Sequence, residues 1–140
     1  MDEDIPLPRH IPNISYFLEG MADYYEIMDN DERTFRIFFE LDNRLRKLNA
    51  DELKMITLKE FIPCNIPKLD TMVEALIEYH LNSHNLEHPE WMKNHKRVLD
   101  VPWYTYMPYT EHGKMRMRIH SPIEFFSRNI FYHFSDLTSV

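Results

Sequence analysis

The stretch that decides the fold is ERTFRIFFELDNRLRKL, residues 32–48. Its apolar residues recur at spacings of three and four and so form one stripe of an amphipathic α-helix: Ile37, Phe38, Leu41, Leu45 and Leu48. On the other side, acids precede arginines by four positions, the favourable order for ion pairs on a helix: Glu32–Arg36, Glu40–Arg44 and Asp42–Arg46. The sequence therefore predicts a helix over residues 32–48.

Related patterns predict helices on both sides of this stretch. Upstream, a second apolar stripe at helical spacing consists of Ile14, Phe17, Leu18, Met21, Tyr25 and Met28. Downstream, Asn49 followed by Glu52 is typical of a capping box and predicts a short helix near 50–60, which Pro63 ends. Pro67 suits the first turn of a further helix that runs to about residue 86.

The last third of the chain has less regular apolar patterns than the stretches before it. A short helix is predicted after Pro89, and an irregular aromatic loop over residues 101–113. Residues 114–120, KMRMRIH, alternate as in a strand, although a helical turn fits nearly as well. In the stretch 121–124, SPIE, serine is expected to cap a helix with proline at its first position.

The fold predicted from these patterns is all-α. Residues 14–140 are expected to form a single compact domain of five or six helices with an irregular, aromatic-rich C-terminal third. Residues 1–13 contain Pro6, Pro8 and Pro12, which exclude a helix there and predict an extended N-terminal arm.

The composition excludes several classes of protein. Two isolated glycines, Gly20 and Gly113, exclude a glycine-rich phosphate loop, and the single cysteine, Cys64, excludes an internal disulfide and zinc sites built on CxxC pairs. No apolar run exceeds three residues, so neither a membrane span nor a signal-peptide core is expected. These features predict a reduced, cytoplasmic protein.

Three histidines form the motif HxxxHxxxH: His80, His84 and His88. Two imidazoles four residues apart on a helix can share a tetrahedral Zn²⁺ if a further ligand is supplied. The alternative is that His80, which lies on the apolar stripe of its helix, is a packed and hydrogen-bonded core residue. Because neither HExxH nor Glu-x-x-His occurs, we expect no metal and no other cofactor.

The sequence also lacks a recognisable set of catalytic residues. Cys64 has no histidine close to it in sequence, and no serine lies in a GxSxG motif. Paired carboxylates such as Asp51 and Glu52 are typical of helix starts, where the helix dipole favours negative charge. The sequence therefore predicts a protein that is not an enzyme.

A basic, aromatic stretch between residues 91 and 118 is the strongest candidate for a binding surface. Its candidate contacts to a partner or to phosphate are Lys93, Lys96, Arg97, Trp103, Tyr104, Lys114, Arg116 and Arg118. Aromatic rings and cations can stack bases and hold phosphates, but the same residue types are enriched at protein interfaces, and tryptophans also anchor irregular segments. The net charge of −7 opposes general polyanion binding.

Three pieces of the second half resemble one family: ALIEYH…HPEWM, RVLDVPWY and HSPIEFFSRNIF, within residues 70–135. They are similar to the C-terminal region of a bacterial family without established activity. Many members of that family carry an N-terminal helix-turn-helix and sit beside nucleotidyltransferase-like toxins. The resemblance implies an antitoxin-like or regulatory role. Residues 1–65 contain no clear DNA-reading helix, and the family's arginine cluster is reduced to Arg128, so the resemblance points to a protein partner.

Together these observations predict a non-catalytic, cytoplasmic protein-interaction module. The partner is another protein, and a homo-oligomer is one possibility, because residues 1–60 carry a net charge of −6 that complements the basic patch in the second half. The alternative is a nucleic-acid-binding accessory protein that uses the basic aromatic patch of residues 91–118. No membrane partner is expected.

Overall fold

The computed structural model describes residues 8–105 and 110–132. The all-α prediction is confirmed: 61% of the described residues are helical and almost none of them are in strands. The described part contains seven α-helices rather than five or six: α1 Ile14–Ala22, α2 Asp31–Arg46, α3 Ala50–Thr57, α4 Pro67–Ser83, α5 Glu90–Asn94, α6 Glu111–His120 and α7 Ile123–Phe126. A π-helical turn, Asp23–Ile27, follows α1, and two short strands, β1 Trp103–Tyr104 and β2 Ile130–Phe131, pair in parallel.

The helices begin at caps that satisfy their first free backbone N–H groups. In each of four helices the cap side chain accepts a hydrogen bond from the third residue beyond it; these caps are Asn13, Asn30, Asn49 and Thr110. The predicted capping box is confirmed, because the Asn49 side chain accepts from the Glu52 N–H at 2.9 Å and the Glu52 carboxylate accepts from the Asn49 N–H at 3.0 Å.

Helix α4 is the centre of the domain. Every residue from 69 to 78 is buried, and α4 is in contact with α1, α2, α3 and α7. The apolar stripe of α2 faces the same core, where Phe38, Leu41 and Leu45 are completely buried. A helix buried on nearly all sides must carry either apolar residues or paired polar ones, and α4 carries both.

In the C-terminal third the structure decides one open alternative and corrects one expectation. Residues 114–120 belong to the helix α6, and residues 103–104 of the expected irregular loop form a parallel ladder in which Trp103 lies opposite Ile130. The Trp103 N–H donates to the Asn129 carbonyl at 2.8 Å, and the Thr105 N–H donates to the Phe131 carbonyl at 3.2 Å. The two-residue ladder therefore fastens this segment to the end of the chain.

Ser121 does not cap α7 as expected. The structure places Pro122 at the cap, and the Ser121 hydroxyl instead donates to the Met117 carbonyl and accepts from the Tyr132 N–H at 2.8 Å. Ser121 thus closes α6 and holds the chain beyond β2 against it.

The N-terminal arm lies partly outside the described residues, which begin at Pro8. Residues 8–11 form a turn in which the Ile11 N–H donates to the Pro8 carbonyl at 3.0 Å, and the Ile11 side chain is buried in the core. Within the described ranges, no helix has the length and apolar character needed to cross a membrane.

Candidate functional site

A row of buried carboxylates runs along α4. Asp70, Glu74 and Glu78 are spaced four residues apart, so they lie on one face of the helix, and their exposed fractions are 5%, 0% and 8%. Buried carboxylates are costly unless they are paired and hydrogen-bonded, so their partners determine what this row can do.

Glu74 is held between two arginines. Its Oε1 accepts from the Arg97 guanidinium at 2.6 Å, while its Oε2 accepts from the Arg97 backbone N–H and from the Arg128 guanidinium, both at 2.9 Å. Arg128 is completely buried and also donates to Glu78 and, at 3.1 Å, to the Glu124 carbonyl. We refer to Glu74, Glu78, Arg97 and Arg128 as the α4 ion network. It joins α4 to the segments around residues 97 and 128.

Arg97 extends the network to the surface. Its guanidinium also donates to Glu60 and lies 4.9 Å above the Phe61 ring. Burial lowers the pKa of Arg97, but its hydrogen bonds to Glu74 and Glu60 raise it more, and the pKa ends above its ordinary value. Arg97 is therefore committed to carboxylates of its own chain.

The three histidines of the HxxxHxxxH motif do not converge. His80 is buried, and its Nε2 is hydrogen-bonded to Asp42 Oδ1 at 2.7 Å. His88 Nε2 is hydrogen-bonded to Asn82 Oδ1 at 2.7 Å, and His84 lies at the C-terminal cap of α4. No group of three or more His, Cys, Asp or Glu side chains in the described ranges is arranged to hold a metal ion.

Cys64 lies in the loop before α4 and is a poor nucleophile. Its backbone N–H and that of Asn65 donate to the Asp70 carboxylate at 2.9 and 3.0 Å. Burial of the thiol, reinforced by the nearby Asp70 carboxylate, raises the pKa of Cys64 from 9.0 to about 11. Since the thiolate is the reactive form, this loop is built for structure rather than for covalent chemistry.

The basic residues of the predicted patch are divided among different neighbours. Lys93 donates to Glu87 at 2.7 Å, and Lys96 donates to the Ser127 hydroxyl at 2.9 Å. Together with Arg97 in the ion network, these residues do not join the cations of α6. The predicted set of contacts is therefore split into at least two separate parts.

A second part of the predicted set of contacts lies around Tyr104. Its hydroxyl accepts from Arg118 Nε at 2.7 Å, and the Arg118 and Lys114 cations lie 5.8 and 6.0 Å from the centre of its ring. The ring also packs on Phe131 at 4.9 Å between centroids. A groove of about 510 Å³ is lined here by Pro102, Tyr104, Glu111, His112, Lys114, Met115 and Arg118.

Both tryptophans pack against the core. Trp91 donates its indole N–H to the Thr57 carbonyl at 2.9 Å and meets the Phe61 ring edge-on at 5.8 Å. Trp103 is half-buried and stacks on Phe35 at 6.2 Å. These contacts support the interpretation of both residues as anchors. Tyr106 and Tyr109 of the predicted aromatic loop lie outside the described residues.

Four exposed apolar residues on α6 and α7 were missed by the sequence reasoning. They are Met115, Ile119, Ile123 and Phe126, with exposed fractions of 57%, 68%, 67% and 45%. We call these four residues the α6–α7 face. The spacing of Met115 and Ile119 indicates their shared exposure, because residues four apart lie on one side of a helix. That indication applies only if residues 114–120 form a helix, since an extended strand places Met115, Met117 and Ile119 on the same side.

No protein-family model matches the chain, and no curated protein or solved structure matches it at a significant level. The resemblance over residues 70–135 therefore stays a prediction.

Proposed function

We propose that this chain is a non-catalytic protein-interaction module that binds an acidic protein surface through the α6–α7 face. The observation that carries the proposal is the exposure of two apolar side chains on α6, Met115 and Ile119. Of its ten residues, Met117 alone is buried. Isolated helices of this length are marginal in water and depend on packing an apolar face, and the apolar residues Met115 and Ile119 face solvent instead.

The charges beside this face select the partner. Lys114 and Arg118 share one side of α6 with the Tyr104 ring, and Arg116 is exposed and has no ion-pair or hydrogen-bond partner among the described residues. An apolar centre with a charged rim is the usual plan of a protein interface, and the sign of the rim favours acidic partners and steers their approach.

The interior supports a non-catalytic role. Its buried carboxylates are saturated by arginines, by a histidine or by backbone N–H groups. A catalytic acid or base needs access to a substrate proton, whereas Glu74 is completely buried and bonded on both oxygens. These carboxylates hold the fold together.

A finer version of the proposal is an antitoxin-like or regulatory protein of the bacterial cytoplasm, and it rests on the family resemblance alone. The nucleic-acid alternative loses support from the geometry. Two of its predicted phosphate contacts, Lys93 and Arg97, are neutralised by Glu87 and by Glu74 with Glu60. The remaining cations stand beside exposed apolar side chains, which suit a protein surface better than a phosphate backbone.

The test is a pull-down from the native host with three forms of the full chain. They are the wild type, the double variant M115Q/I119Q, and the control M55Q/L58Q, which alters two comparably exposed apolar residues on and just after α3. We expect the wild type and the control to capture one acidic protein after nuclease treatment and in moderate salt, and M115Q/I119Q to lose it. Equal capture by all three forms would overturn the proposal, as would recovery of nucleic acid alone that salt removes.

A further inference from the structure

The corner between α1 and α2 is a second exposed surface with apolar residues at its centre. The π-helical turn Asp23–Ile27 and the residues after it leave Ile27 and Met28 exposed by 74% and 62%. Asp29 adopts a positive φ of 49°, which turns the chain into α2. π-helical turns are rare and are frequent at functional sites.

The charges around this corner are mostly negative, although Arg33 lies 5.6 Å from the centre of the Tyr24 ring and Arg36 donates to Glu32 at 3.0 Å. Residues 23–32 contain five acids and no lysine, arginine or histidine: Asp23, Glu26, Asp29, Asp31 and Glu32. All five are exposed. We call residues 23–32 the acidic corner. It presents two large apolar side chains inside a negative rim.

The acidic corner and the α6–α7 face are complementary in two independent respects. Each has exposed apolar residues at its centre, Ile27 and Met28 on the one and Met115 and Ile119 on the other. The rim of the first is negative, whereas α6 carries three cations against the single acid Glu111. Matching apolar centres with opposite rims favours association and suppresses pairing of like with like.

We propose that the partner seated on the α6–α7 face is a second copy of this chain, which contributes its acidic corner. This inference rests on the proposed function, because it names the occupant of the same face. Each copy offers both surfaces, so the contact joins unlike patches of identical chains. With only a few apolar residues on each side, we expect a contact smaller than the standard interface of about 800 Å² per partner and a dissociation constant of roughly 1–100 μM.

The experiment is sedimentation velocity of the full chain from about 0.5 to about 200 μM, a range that brackets the expected constant. The wild type should associate with rising concentration, and association should weaken at least fivefold between about 50 and about 500 mM salt, because the rim charges are screened. The charge reversals K114E/R116E and E26K/E32K should each weaken association at least tenfold, since like charges then face each other.

The decisive step is the charge swap. A mixture of K114E/R116E with E26K/E32K should regain an affinity within about threefold of the wild type, because opposite charges face each other again across the contact. The control K54E/K59E changes the net charge by the same amount as K114E/R116E, on exposed residues within and after α3, and should associate like the wild type. Thermal melts of each variant test whether the substitutions leave the fold intact, including K114E, since Lys114 is half-buried against Tyr104.

A wild type that stays monomeric at about 200 μM would overturn the inference, and so would a mixture that fails to associate. The proposed function is decided separately by the pull-down. If M115Q/I119Q still loses a captured acidic protein while the wild type does not self-associate, the face binds a different chain and only the identity of the partner is wrong.

Discussion

Glu74 Oε2 and the Arg128 guanidinium are 2.9 Å apart, and neither side chain has any exposure to solvent. The two residues are 54 positions apart in the chain. Because the pair is buried, each partner depends on the other to offset the loss of its hydration. The contact therefore ties the C-terminal segment to the central helix α4 in one arrangement.

Removal of the Arg128 guanidinium should strongly destabilise the folded chain. We expect R128M to lower the free energy of unfolding by roughly 3–5 kcal/mol, because Glu74 keeps its buried charge with only Arg97 to balance it and Glu78 loses its cation. R128K should lie between R128M and the wild type, since a lysine ammonium cannot reproduce the planar fork that serves two carboxylates and a carbonyl. Urea unfolding measures both variants.

A control for this prediction is R36M, which breaks the exposed pair between Arg36 and Glu32 at 3.0 Å. Exposed pairs of this kind contribute less than about 1 kcal/mol. If R128M were as mild as R36M, the buried network would be dispensable to the fold.

The fold was predictable where the pattern is local. The helix predicted over residues 32–48 is α2, Asp31–Arg46, and the capping box at Asn49 is present. Residues 114–120 left strand and helix both open because strand alternation and a short helix can share the same apolar positions; tertiary packing of Met117 decides for the helix.

The site was less predictable, because it depends on pairing between distant residues. The sequence places Arg97 among the candidate contacts to a partner or to phosphate, because its partners Glu74 and Glu60 lie 23 and 37 positions away and cannot be assigned to it from spacing. The usable signal was the row Asp70, Glu74 and Glu78 inside an apolar helix: buried acids at helical spacing require cations, and Arg128 is one of few in the second half.

Trp103 should be structural. Because its ring is half-buried and stacks on Phe35, we expect W103A to lower the free energy of unfolding by about 2–3 kcal/mol, below the 3–5 kcal/mol typical of a fully buried ring. W103F should lose less than half as much, since it keeps an aromatic surface against Phe35. Thermal unfolding measures both. A melting temperature unchanged in W103A would place the ring outside the packing and would favour the nucleic-acid alternative.

Cys64 should react slowly while the chain is folded. With the pKa of the thiol raised to about 11, the thiolate fraction at pH 8 is on the order of a hundredfold below that of an ordinary cysteine. Alkylation by iodoacetamide should be slower by a similar factor in buffer than in denaturant, where the thiol regains its ordinary pKa. Equal rates in the two conditions would contradict this prediction.

The same shift has a defined pH dependence. A raised pKa in the folded state means that the protonated thiol favours folding; this contribution is complete below pH 9 and is lost as the pH rises toward 11. The variant C64A should therefore show a smaller loss of stability than the wild type between these two pH values. A steeper loss in C64A would show that the thiol is not the group responsible.

The α6–α7 face should contribute to binding without contributing to stability. Met115 and Ile119 are exposed, so M115Q/I119Q removes little buried apolar area, and glutamine is a good helix former. We expect the free energy of unfolding of the isolated chain to change by less than about 0.5 kcal/mol, within the usual range for surface substitutions.

The contrasting variant is M117Q, which changes the residue midway between Met115 and Ile119. It should lower the free energy of unfolding by about 2 kcal/mol or more, because Met117 is buried and a core position would receive an unpaired amide. Circular dichroism melts and urea titrations compare the two variants. Equal destabilisation by both would mean that α6 packs with Met115 and Ile119 against its own chain, and the face would then be unable to receive a partner.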